Sequence, residues 1–130
     1  MRAKSIRGKS PEEIQSALQQ SMADGFKPTI AIAFISVKQD RKVVCEIFQK
    51  ENIDLIGATS CNEFIDGHQS EGEIAVMLFN INKNDYGILL EDIGERTLQQ
   101  AAEHLAKSAL QKFQKPSLIL LSTSMTEKGI

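Results

Sequence analysis

Apolar residues along this chain recur with two periods, and the changes between them mark out the elements. Ile14, Ala17, Leu18 and Met22 fall at helical spacing and predict a helix over about residues 11–23. Its start is written in Ser10, Pro11 and Glu13: a hydroxyl N-cap, a proline in the first turn and a glutamate placed to complete a capping box. Gly25 supplies the stop. From Thr29 to Val37 nearly every residue is apolar, which predicts a strand covered on both faces. Asp40 then offers an N-cap to a helix carrying Val43, Val44, Ile47 and Phe48, and Asp54 to Thr59 predicts the next strand. A helix between two buried strands reads as a crossover, so the two strands are expected to be parallel.

Two further strands, about residues 73–81 and 86–91, flank Asn82-Lys83-Asn84-Asp85, a turn-rich tetrapeptide that predicts an antiparallel hairpin. The longest helix, about residues 95–114, sets Leu98, Ala101, Ala102, Leu105, Ala109, Leu110 and Phe113 along one stripe, with Gln, Glu and Lys opposite, and is expected to cover a sheet. Pro116 ends it, and Leu118 to Ser122 predicts a last buried strand. Ala3 to Arg7 alternates basic residues in the manner of a short edge strand. The fold class that follows is α/β, or α+β: a mixed β-sheet with a parallel βαβ unit, an antiparallel hairpin and helices packed on the sheet.

The chain's 130 residues, 42% hydrophobic, suffice for one domain with one core. Fifteen Lys and Arg against seventeen Asp and Glu give a net charge of −2, so no broad basic surface exists to neutralise phosphates, and nucleic acid is not expected as a partner. Apolar runs such as Ile74 to Phe79 are too short to span a bilayer, and no charged-then-apolar leader opens the chain, so no membrane association is expected. Two cysteines, Cys45 and Cys61, make neither a disulfide framework nor a Cys-x-x-Cys metal pair, and they fit a reducing cytoplasm.

The densest chemistry lies between strands, in Gly57-Ala58-Thr59-Ser60-Cys61-Asn62-Glu63. Glycine and alanine let a backbone come close, while two hydroxyls, a thiol, an amide and a carboxylate offer donors and acceptors. A parallel strand ending here aims these groups into the crevice at its carboxyl edge, where α/β folds bind ligands. The same residues also suit a tight strand exit whose hydroxyls satisfy local backbone. Cys61, Glu63, Asp66 and His68 are metal-ligand types, but their spacing matches no metal signature and no metal or cofactor is assigned. Cys61 as a nucleophile would need a base, and His68 and His104 are not placed by the sequence to serve it, so no catalytic residue is assigned and the chain is read as a non-enzyme. Gly67 to Gly72 has neither P-loop nor dinucleotide spacing and reads as a flexible connection. Lys38, Arg41 and Lys42 form a small basic cluster that suits either an anionic ligand group or a solvated helix start.

At Ile56-Gly-Ala-Thr-Ser-Cys-Asn-Glu-Phe64 the chain resembles the N-terminal part of a FIST domain, the sensory module of F-box and intracellular signal-transduction proteins. In that family an apolar strand leads into a Gly-Cys-Ser-Thr-x-Gly-Glu type motif. Gly57, Thr59, Ser60 and Glu63 stand at the matching positions, and residues 28–36 and 41–50 resemble the family's first buried strand and following helix. Asn62 stands where the family usually has glycine and Ala58 where it often has cysteine; asparagine tolerates left-handed backbone.

The resemblance implies one domain over residues 1–130, incomplete at its C-terminal end, that binds a small and amino acid-like molecule in the cytoplasm and signals to an associated protein or to a C-terminal FIST domain. Gly57, Ala58, Thr59, Ser60, Cys61, Asn62 and Glu63 would line the pocket. Backbone N–H groups with the Thr59 and Ser60 hydroxyls would hold an anionic group, and Glu63 an ammonium or a structural hydrogen bond. The alternative is a protein-interaction or assembly domain, a homo-oligomer included, that takes no small ligand.

Overall fold

The computed structural model describes residues 1–60 and 62–121, apart from the side chain of Phe64. The chain divides into two compact units, Met1–Tyr86 and Gly87–Ile130.

The first unit runs β1 (Arg2–Gly8), α1 (Pro11–Met22), β2 (Ile30–Ser36), α2 (Arg41–Lys50), β3 (Asp54–Ser60), β4 (Glu63–Ile65), β5 (His68–Ser70) and β6 (Ile74–Asn80). Four strands form one sheet in the order β1-β6-β2-β3, and β4 and β5 form a separate hairpin. β2 and β3 are parallel, with Ala33 opposite Gly57, as the crossover through α2 requires. β6 is antiparallel to both β1 and β2. β1, β2 and β3 therefore all point the same way and end at the same side of the sheet.

The helices start as their sequences dictate. The Ser10 hydroxyl accepts from the Glu13 N–H at 3.3 Å, while Glu13 reaches back to the Lys9 N–H at 2.8 Å. Asp40 accepts from the Lys42 and Val43 N–H groups at 3.0 and 3.3 Å. Ile14 and Leu18 of α1 and Val44, Ile47 and Phe48 of α2 meet Ala31, Ala33, Ile35, Ile74, Val76 and Leu78 in one core. These strand residues alternate, so both helices cover a single face of the sheet. The other face carries Ile30, Ile32, Phe34, Ile56 and Met77; Phe34 is 41% and Met77 44% exposed.

Three expectations are corrected. Residues 73–81 and 86–91 do not form a hairpin, because β6 is an interior strand with both edges already taken by β1 and β2. Asn82 instead closes a local turn, its carbonyl and side chain accepting from the Asp85 and Asn84 N–H groups. Residues 67–72 are not a loose connection: β4 and β5 pair across Asp66-Gly67, with Ile65 opposite His68. Both turn residues have positive φ, 47° and 80°, the geometry of a two-residue hairpin turn. Residues 118–121 form no strand; the rest of that expected strand, Ser122, lies outside the described residues. The edge strand expected at Ala3 to Arg7 is present and slightly longer, as β1.

In the second unit α3 (Leu98–Lys112) opens with a capping box: Thr97 Oγ1 accepts from the Gln100 N–H at 3.2 Å and Gln100 Oε1 from the Thr97 N–H at 2.9 Å. Ala101 and Ala109, both on the predicted stripe, are buried. His104 lies 2.8 Å from the Glu91 carboxylate, which also pairs with Arg96; His104 first, then Arg96, holds the Glu91 carboxyl below its ordinary range. Among the described residues no helix is long and apolar enough to cross a membrane.

Candidate functional site

The polar crossing begins inside β3. At Gly57 a side chain would point its Cβ to within 2.0 Å of the Ala33 carbonyl oxygen, so only glycine allows β3 to lie this close to β2. Ala58 and Thr59 follow and are exposed. β3 is an edge of the sheet among the described residues, so these positions face outward rather than into a crevice.

Past the strand the chemistry turns inward. Glu63 is 2% exposed and both carboxylate oxygens are occupied: the Ser60 hydroxyl donates to Oε1 at 2.6 Å and the Glu73 N–H donates to Oε2 at 3.2 Å. A buried carboxylate is tolerated only with such partners. This ties the exit of β3 to the entry of β6. Glu63 therefore makes the structural hydrogen bonds that were one of the two roles left open for it. Asn62 is exposed, and Cys61 lies outside the described residues.

Because β1, β2 and β3 end together, residues far apart in sequence gather beside this crossing. Ser36 donates its N–H to the Glu73 carbonyl at 3.1 Å. Gln39 donates from Nε2 to the Lys9 and Gly72 carbonyls at 2.8 and 2.7 Å, stitching the ends of β1 and β2 to the loop before β6. Lys38 pairs with Glu71 at 2.8 Å; this pairing raises the lysine's pKa and lowers the glutamate's. Of the basic cluster, Lys38 is thus already neutralised, while Arg41 and Lys42 are exposed.

The β4–β5 hairpin packs against β1, β2 and β6. His68 Nε2 lies 3.4 Å from Glu73 Oε2, and Arg7 Nη1 lies 3.6 Å from the same oxygen. His68 Nε2 is itself buried and, among the described residues, has no hydrogen-bond partner of good geometry. Between β1 and the hairpin lies a cleft of about 220 Å³ lined by Ser5, Ile6, Arg7, Ile65, Asp66 and His68. Its lining thus draws on charged, polar and apolar residue types together.

Thus the six described residues of the crossing divide. Gly57 is a packing glycine, Ala58 and Thr59 belong to an open edge, Ser60 and Glu63 form an internal clasp, and Asn62 is free in solvent. Arg7, Ser36, Gln39 and Glu73 were not singled out by sequence, since only sheet order brings β1 and the start of β6 to this end. The Asp66-Gly67 dipeptide was the one signal of the hairpin that carries His68 here. Among the described residues no group of three or more His, Cys, Asp and Glu is arranged to hold a metal.

Comparison with protein-family models, with curated proteins and with solved structures finds no match to this chain.

Proposed function

We propose that this chain is a small-molecule-binding sensory module of cytoplasmic signal transduction, of the FIST type, which takes an amino acid-like ligand and passes its occupancy to an associated protein. The observation that carries the reading is the cleft of about 220 Å³ between β1 and the β4–β5 hairpin, whose lining includes two residues of opposite charge, Arg7 and Asp66. Opposite charges across a small, partly apolar cleft match a ligand bearing both a carboxylate and an ammonium.

The crossing serves this reading as a frame. The Ser60–Glu63 clasp and the Glu73 N–H fix the base of the hairpin, and Asn62 supplies an exposed amide beside it. No reaction is assigned. The resemblance at Gly57 to Glu63 supports the family part of the proposal, and the cleft supports its ligand-binding part.

A thermal-shift screen of amino acids and small carboxylates tests it, run on the native chain, on Arg7→Gln and on Asp66→Asn. Arg7 is half exposed, so its pairing with Glu73 contributes little to stability and the variant should fold. A ligand that binds the native state raises Tm in a saturable way. Loss of that rise in Arg7→Gln supports the site. If no compound stabilises the native chain, or if both variants respond as it does, the reading fails.

A further inference from the structure

The two edges of the four-stranded sheet differ in a way that bears on association. β1, at one edge, is studded with Arg2, Lys4 and Arg7, the kind of charged edge that resists pairing with another chain. β3, at the other, reads Asp-Leu-Ile-Gly-Ala-Thr-Ser: it has no lysine, arginine or proline, and a single charge at its first residue. Gly57, Ala58 and Thr59 on this strand are exposed.

The direction of the open hydrogen-bonding groups follows from the ladder. Asp54 donates its N–H to the Thr29 carbonyl at the start of β2. In a parallel pair alternate residues face opposite neighbours, so Asp54, Ile56 and Ala58 bond toward β2 while Leu55, Gly57 and Thr59 turn N–H and C=O to the edge that no described strand occupies.

We propose that β3 pairs antiparallel with β3 of a second copy of this chain, about a two-fold axis at Gly57, joining two four-stranded sheets into one. The strand is self-complementary in this register. Gly57 is the middle residue of Asp54–Ser60, so the whole strand overlaps. Leu55 then stands opposite the second copy's Thr59, and Gly57 opposite its counterpart, which are the residues with open backbone groups. Each such pair exchanges both hydrogen bonds. Charge fits as well: the lone Asp54 falls opposite Ser60 and not opposite another Asp54, as a parallel pairing would place it.

The sheet face away from the two helices agrees. Phe34 lies opposite Ala58 and Ile32 opposite Ile56 in the β2–β3 register, and in the two-fold pairing Ile56 falls beside the second copy's Ala58. The partly exposed apolar faces of both copies therefore run on across the axis, and the dimer shortens the rim along which Phe34 meets water. The pairing uses residues 54–60 and leaves the cleft at Arg7 and Asp66 untouched, so it stands or falls separately from the ligand reading.

Sedimentation velocity across a wide range of protein concentration is the test, with Thr59→Pro and Thr59→Lys beside the native chain. Proline at this position removes an N–H that faces the free edge and none that faces β2; lysine adds the charge that guards β1. Either variant should weaken the dimer by at least about tenfold. Amide exchange of Leu55, Gly57 and Thr59 should slow as concentration rises, while Ile56 and Ala58 stay protected throughout. A native chain that is monomeric at every concentration overturns the proposal. So does a dimer that survives in both variants, or exchange at the three amides that ignores concentration.

Discussion

Glu63 is the residue at which a ligand role and a folding role make opposite forecasts. Its side chain is 2% exposed and accepts from the Ser60 hydroxyl at 2.6 Å and the Glu73 N–H at 3.2 Å. Glu63→Gln preserves this shape. The amide oxygen can take the Glu73 N–H, and the amide nitrogen can donate to the Ser60 hydroxyl, which rotates to accept. Only charge assistance is lost, a cost of about 1 kcal/mol. Glu63→Ala removes both acceptors. The buried Glu73 N–H is then left without a partner, about 1–3 kcal/mol, and burial of the Cγ methylene is lost at about 0.8 kcal/mol. Relief of the buried carboxylate's desolvation offsets part of this.

The expected loss for Glu63→Ala is about 2 kcal/mol, or roughly 7 °C in Tm for a chain of this size. Urea unfolding followed by circular dichroism measures it, as a lower midpoint at unchanged slope. A double-mutant cycle with Ser60→Ala should return a coupling of about 1 kcal/mol, because Ser60 is one of two donors lost. If both Glu63 variants unfold within about 0.5 kcal/mol of the native chain, the clasp is not structural and the reasoning is wrong.

Gly57→Ala should cost about 3 kcal/mol or more, because its Cβ would meet the Ala33 carbonyl oxygen at 2.0 Å and backbone cannot yield as a side chain can; a loss under about 1 kcal/mol in urea unfolding would show that β3 shifts freely. Asp24 is held at a pKa of about 2, first by its hydrogen bond from Lys4, so its stabilisation is present above the ordinary value near 3.8 and drains away as pH falls toward 2. Asp24→Asn should flatten the acid limb of a stability-against-pH curve in that window, and an unchanged limb would deny the pairing any role. Burial, then the hydrogen bond to Asp54 at 2.6 Å, pushes the Tyr86 hydroxyl up to about 12. The folded state thus keeps a proton that the unfolded chain loses near 10, so stability should fall as pH rises from about 10 to about 12, and Tyr86→Phe should abolish that decline. Absorbance titration of the phenolate gives the same answer independently.

Local elements were legible wherever one segment carried its own signal. Ser10 and Asp40 cap the helices they were expected to cap, while Glu13 accepts from the Lys9 N–H and not from the N-cap N–H that a capping box requires. The apolar run at Thr29 and the crossover through Val44 and Phe48 correctly predict a parallel pair. Errors arose where the outcome depends on competition between segments. Tyr86 to Glu91 has the composition of a strand, yet β6 had no edge left to offer it. Asp66-Gly67 was a readable turn signal, masked by the polar composition of His68-Gln-Ser70, which pairs as a strand nonetheless.

For the site the division is sharper. Sequence alone determined that Gly57 to Glu63 is a compact polar crossing after a buried βαβ unit, since residue types and strand period are properties of a single stretch of chain. Tertiary structure decided what each residue does there. Glu63 became an internal clasp because folding brought the Glu73 N–H to it, and Arg7 reached the same end because β6 pairs antiparallel with both β1 and β2, so β1 points the same way as β2. Ala58 and Thr59 are exposed because, among the described residues, β3 is a sheet edge. Period and capping are local energies, readable within a few residues. Strand order, burial of a carboxylate and the exposure of an edge depend on which distant segments meet, and no stretch of sequence carries that by itself.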